Sequence, residues 1–164
     1  MKKITTTRQA LLLKIQTLYY IEKQLEKALP KMAKASHDPD LKEGFRMHLA
    51  ETVEHSKRLE EIFTILDETP KKLSCDGIQG IIEDAAVIME SEAPESLRDS
   101  MIAGAARTAE HYEMAWYLSA ILQAESLGME DIASLLQQTL REEESCDNSL
   151  AFAMTKNLEL AENL

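Results

Sequence analysis

The stretch LLLKIQTLYYIEKQLEKALPKM, residues 11–32, decides the fold. A helix advances about 100° per residue, so each side chain can be placed on a wheel. With Glu22 at zero, Leu11, Ile15, Leu18, Leu25 and Leu29 all fall within about 60° of it. The segment therefore reads as a long amphipathic helix, with a glutamate in the middle of its apolar stripe. Glutamate is rarely buried without a partner, and a solvent-facing one belongs on the opposite face.

Working outward, Thr7 reads as the N-cap of this first helix, which runs to about Ser36. The break at His37-Asp38-Pro39 supplies Asp38 as the next N-cap and Pro39 at the first helical position. A second helix runs to about Leu66. A polar stretch from Asp67 to Asp76 contains Pro70, and a shorter amphipathic helix covers Gly77 to Ser91. Pro94 opens a third long helix that runs to about Ser126 and is ended by Gly128. The fourth fills Glu130 to about Leu158. The first pair and the last pair are each joined by a few residues and should pack antiparallel. The connection between the pairs is long enough to carry the chain back along the bundle. The expectation is all-α: a ferritin-like four-helix bundle of two antiparallel hairpins, joined by a long crossover that carries a short extra helix. Residues 1–164 are expected to form one domain.

Composition agrees. The 164 residues are 45% hydrophobic, and only 5 Gly and 4 Pro interrupt a background of good helix formers. The formal net charge of -11 repels nucleic acid and anionic membranes, so neither is expected as a partner. Cys75 and Cys146 form no CxxC pair, which argues against zinc ribbons and thioredoxin-type motifs; both are expected to be free thiols in a reducing cytoplasm. Lys14 and Gln16 interrupt the N-terminal apolar run, so no signal peptide is expected, and no stretch of about 18 apolar residues suggests a membrane span.

The anomaly of Glu22 repeats. Around Glu143 lie Ile132, Leu136, Leu140, Leu150 and Met154, and Asp147 shares that face four residues on, while Glu142 and Glu144 lie to the flanks. Glu110 and Glu113 share a face with Ala103, Ala106, Tyr117, Ile121 and Ala124. On the second helix the apolar stripe runs through Leu41, Thr52, Leu59 and Ile62 and carries His48 and His55. Glu51 sits towards its edge, one turn before His55. Clustered ionised carboxylates in a dry core repel one another, and each unit of pKa shift costs about 1.4 kcal/mol against a total stability of ~10 kcal/mol. No Lys or Arg on these inward faces stands close to Glu22, Glu110 or Glu143. Two metal ions would neutralise such a group. An oxygen-rich set with one or two histidines suits iron or manganese best, with zinc also possible. Bundles with inward Glu on two helices and a Glu-x-x-His pair on the other two are a known frame for dinuclear carboxylate sites. This chain departs from that spacing: Glu51 and His55 are four apart, and so are Glu143 and Asp147. The candidate ligands are Glu22, Glu51, Glu110, Glu143, Glu113, His55 and Asp147. The rival reading for each is a buried group satisfied by hydrogen bonds. His48 and His111 read as structural, and Tyr19, Tyr112 and Tyr117 as core residues or hydrogen-bond donors to the carboxylates.

At these residues the chain resembles the YciF/YciE-like ferritin-like family. The matching stretches are Tyr-x-x-Glu-Lys-Gln-Leu (Tyr19 to Leu25), Leu-Pro-Lys-Met-Ala (Leu29 to Ala33), His-Leu-x-Glu-Thr (His48 to Thr52) and Arg58-Leu59-Glu60. Glu-His-Tyr-Glu (Glu110 to Glu113) and Thr-Leu-x-Glu-Glu-Glu-x-x-Asp (Thr139 to Asp147) complete the match. The resemblance implies a metal-binding centre, a homodimer and a link to bacterial stress responses. It places Glu22, Glu51, Glu110 and Glu143 at the carboxylate positions and Glu113 at the second carboxylate of the third long helix. His55 falls where related chains often carry Gln. Three functions follow from the sequence: a di-iron centre reacting with O2 or peroxide, a metal-binding stress-associated dimer without turnover, or a metal-free structural bundle.

Overall fold

The structure, a computed structural model, describes residues 3–163. Five helices occur in the order α1 (Thr7–Ala35), α2 (Pro39–Ile65), α3 (Asp76–Met89), α4 (Glu95–Ser126) and α5 (Glu130–Glu162). No strand occurs among the described residues.

The helix ends follow local chemistry, with small departures from the reading above. The N-cap of α1 is Thr6 rather than Thr7: its hydroxyl accepts from the Gln9 N–H at 3.2 Å, the bond that satisfies an orphan first-turn donor. Asp38 caps α2, accepting from Asp40 N at 2.9 Å, with Pro39 in the first turn. Gly128 follows α4 at φ 66, the left-handed conformation that favours glycine. The short helix begins one residue earlier than expected, at Asp76, and α5 continues past the expected Leu158 to Glu162.

The core is two apolar collars with a polar layer between them. One collar joins the start of α1 (Leu11, Ile15, Leu18), the end of α2 (Leu59, Ile62, Phe63), the end of α4 (Tyr117, Ala120, Ala124) and the start of α5 (Ile132, Leu136). The other joins the end of α1 (Leu29, Met32), the start of α2 (Leu41, Phe45), the start of α4 (Ile102, Ala103, Ala106) and Leu150 near the end of α5. This pairing makes α1 antiparallel to α2 and α4 antiparallel to α5, while α2 and α4 run parallel. A parallel pair needs the long crossover, and α3 lies in that crossover against α1 and α4. Each fully buried Leu or Ile in the collars contributes about 1.5–3 kcal/mol. The crossover is tied down by Leu73 N–H to Gln16 O at 3.0 Å and by buried Ile78 beside Ile21 and Leu25. A Cβ at Gly77 would meet the Tyr112 hydroxyl, so a side chain there would push the Tyr112 ring aside. No helix among the described residues is long and apolar enough to cross a membrane.

Candidate metal centre

The polar layer is where the four long helices meet. Glu22 from α1, His48 and His55 from α2, Glu110, Glu113 and Tyr117 from α4, and Glu143 from α5 are all buried. Glu22 and Glu113 are 0% exposed. The helical period that places apolar residues in the collars puts these groups on the same inward stripes, one or two turns from their apolar neighbours.

Glu22 Oε1 accepts a hydrogen bond from the Tyr117 hydroxyl, and Oε2 lies 3.5 Å from His55 Nδ1. The same ring nitrogen is 2.9 Å from Glu143 Oε1. That contact is close, but it is not aligned as a hydrogen bond, and both atoms remain without one. The other nitrogen of His55, Nε2, is 2.9 Å from Glu142 Oε2, and Glu142 is gripped by both Arg58 nitrogens at 2.5 and 2.9 Å. His48 Nε2 lies 3.2 Å from Glu110 Oε1 and 3.8 Å from Glu143 Oε2, while its Nδ1 lies 3.5 Å from Glu51 Oε2.

Burial drives the electrostatics. It raises the Glu22 carboxyl above its usual range against the opposing pull of His55. It raises Glu113 well above that range, reinforced by the negative charges of Glu143, Glu22 and Glu110. Glu143 is pushed up to about 7 by burial, with His55 opposing. Burial alone would lower both histidines; the carboxylates around them win, and His55 rises to about 10 and His48 well above normal. Burial also pushes the Cys146 thiol up to about 12. Burial and mutual repulsion thus favour the protonated form of Glu22, Glu113 and Glu143.

The layer's hydrogen bonding is incomplete. Ten buried side-chain N or O atoms among the described residues lack a hydrogen-bond partner, and seven of them belong to Glu22, His55, Glu110, Glu113 and Glu143. Buried polar atoms are normally paired, and an orphaned one costs about 1–3 kcal/mol. Three groups bring donor atoms within 4.8 Å of one another: Glu22, His55 and Glu143; Glu110, Glu113 and Glu143; and His48, Glu110 and Cys146. Orphaned oxygens and imidazole nitrogens in this arrangement fit a cation, and these groups can hold a metal ion.

Of the seven ligands expected from the sequence, the structure brings together Glu22, His55, Glu110, Glu113 and Glu143. Two lie elsewhere. Glu51 is 47% exposed and reaches only the outer nitrogen of His48, because the edge of the stripe faces a groove rather than the axis. Asp147 is drawn outward into a paired contact with Arg107, Nε to Oδ1 at 2.7 Å and Nη2 to Oδ2 at 3.2 Å, and this lowers its pKa. His48, read as structural, belongs to the layer. The available signal was its spacing, three before Glu51 and seven before His55, which keeps it on the inward face. Glu142, read as a flank position, forms the support behind His55 together with Arg58. Tyr117 alone of the three tyrosines touches a layer carboxylate; Tyr19 donates to Glu60 at 2.7 Å, and Tyr112 pairs with Cys75 at 2.9 Å.

The comparisons with known proteins agree with this architecture. YciF of Escherichia coli K12 is 35% identical over 141 residues, covering 85% of each chain. The crystal structure of the Escherichia coli stress protein YciF matches with a TM-score of 0.91 at 32% identity, covering 95% of this chain and 99% of that one. YcfI of Rhodopseudomonas palustris, called a structural protein, matches with a TM-score of 0.89 at 35% identity, covering 92% and 96%. A protein from Xanthomonas campestris at 21% identity and TM-score 0.74 shares the fold. Residues 6–161 match the model of a family described as a domain of unknown function, DUF892, and this chain belongs to that YciF-like, ferritin-like family.

Proposed function

We propose that this chain is a dinuclear metal carboxylate protein that binds two divalent transition metal ions, iron by preference, and serves a stress response through Fe(II) and O2 or peroxide chemistry. The observation that carries this reading is the set of orphaned donor atoms shared by four helices at the bundle centre. Glu22, Glu110, Glu113, Glu143, His48 and His55 would hold the ions. Bound Fe(II) supplies electrons for reducing O2 or peroxide.

The chain's own groups support that role. Tyr117 fixes the orientation of Glu22. Glu142, itself held by Arg58, fixes the outer nitrogen of His55 and leaves Nδ1 turned towards Glu22 and Glu143. Glu51 sits in the same relation to His48. Carboxylates behind ligating histidines orient the ring and raise its basicity. The apolar collars close the layer at its two ends along the bundle axis. Metal stoichiometry on protein purified without chelator tests the proposal. About two ions per chain, retained in the native protein and lost on Glu22→Ala or Glu110→Ala, are expected. A peroxide-dependent Fe(II) oxidation rate above background, lost in the same variants, would establish turnover.

A second reading, a metal-binding dimer without turnover, has its own observation. YcfI is called a structural protein, and here the large apolar side chains of Val87, Leu122 and Phe152 stand exposed, one each on α3, α4 and α5, available to a second copy. It predicts bound metal, a dimer in solution and no rate above background.

A further inference from the structure

The third donor group, His48, Glu110 and Cys146, differs in kind from the other two. It contains sulfur, and it is not sealed. A groove of about 640 Å³ between α2 and α5 is floored by His48 and Cys146, with Glu51 on its wall and Met47 and Phe152 at its rim. Glu22, His55 and Glu113 do not reach this groove. A nitrogen of His48, a carboxylate oxygen of Glu110 and the Cys146 sulfur lie within 4.8 Å of one another. Glu110 is buried and its Oε2 has no hydrogen-bond partner, so the group carries an unsatisfied acceptor as well as a thiol.

We propose that one of the two metal positions is a nitrogen, oxygen and sulfur site made by His48, Glu110 and Cys146, open to solvent through the α2–α5 groove. The other is the closed, oxygen-rich position of Glu22, His55 and Glu143. The proposal rests on the metal-binding reading above and deepens it by making the centre asymmetric. Thiolate favours softer or borderline ions such as zinc and cobalt, and carboxylate favours harder ones such as manganese, so the two positions differ in metal preference. Donors around a tetrahedral ion sit roughly 3.5 Å apart, so closure here asks only for small side-chain rotations. On binding, the Cys146 S–H bond breaks as the sulfur–metal bond forms, and the proton leaves through the groove. No electron is transferred. The groove leaves room beside the three donors for water or a small anion as a fourth ligand.

Anaerobic titration with Co(II) tests this on the full chain. A sulfur-to-cobalt charge-transfer band is expected in the near ultraviolet. It should disappear in Cys146→Ser and persist in Cys75→Ser, whose thiol sits with Tyr112 away from the layer. Cys146→Ser should weaken one Co(II) equivalent by about tenfold or more and leave the other. Zinc X-ray absorption on native protein, which needs no variant, should show a sulfur neighbour. Co(II) bound without the sulfur band, or a band that survives in Cys146→Ser, overturns the proposal and leaves the metal-binding reading standing. No bound Co(II) overturns both.

Discussion

Two places in this bundle bury carboxylates, and they are built on opposite principles. At one end, Asp99 of α4 is fully buried and fully satisfied. Its oxygens accept the backbone N–H of His37 at 2.9 and 3.0 Å and of Asp38 at 2.5 Å, pinning the α1–α2 turn to α4. At the centre, Glu22, Glu110, Glu113 and Glu143 are equally buried, and between them they leave six oxygens unpaired. Burial alone therefore says little about function. A carboxylate paired with backbone donors is a rivet, and a group of carboxylates without donors is a receptacle for positive charge.

The contrast can be broken by substitution. Asp99→Ala should cost roughly 3 kcal/mol whether or not metal is present, since the backbone N–H groups of His37 and Asp38, in a part-exposed turn, each lose a charged acceptor at about 1.5 kcal/mol. Chemical denaturation with and without chelator measures this; a cost that depended on metal would break the distinction. Native protein should gain about 2.7 kcal/mol per occupied position when Fe(II), Mn(II) or Zn(II) is present at one hundred times its dissociation constant, and Glu143→Ala should remove the share of the position it lines. A thermal melt that ignores all three metals would remove the receptacle.

A pH titration sharpens the comparison. For the chelated protein the folded pKa values of Glu22, Glu113 and Glu143 are raised, so their cost to the fold is absent at acid pH and grows as pH rises above the unfolded carboxylate range. His55 is raised from 6.5 to about 10, so its stabilisation is complete below 6.5 and is lost on the way to 10. Both effects make chelated protein less stable at pH 9 than at pH 6, and bound metal should flatten the slope. Asp38 has the opposite sign. Burial would raise it, but Asn157 and Lys156 outweigh burial and lower it, so its contribution is lost only below the ordinary aspartate range. The smallest effect expected is that of Tyr117→Phe, which removes one hydrogen bond to Glu22. It should weaken metal binding by about tenfold, read by competition with a chromophoric chelator, with a smaller change in apoprotein stability.

The legible part of the centre was the part fixed by angle. Glu22, Glu110, Glu113, Glu143 and His55 sit mid-stripe, and a wheel places them correctly because the 3.6-residue period is local. Glu51 and Asp147 share those stripes by angle, yet one reaches a groove and the other is captured by Arg107, a residue forty positions away in the chain. Asp99 could not have been singled out at all, since its partners are backbone donors from the distant α1–α2 turn.

Sequence alone determined the helices, the Asp38 cap, the Gly128 stop, the long crossover and the inward direction of Glu22, Glu110, Glu113 and Glu143, because each depends on neighbours within a turn or two. Tertiary structure decided which groups meet: His48 rather than Glu51 at the centre, Glu142 with Arg58 behind His55, and Cys146 beside His48 and Glu110. A side chain's angle about its own helix axis says nothing of which facing helix stands opposite, how deep the gap is, or which cation reaches the carboxylate first. Those are set only when four helices pack at a common depth.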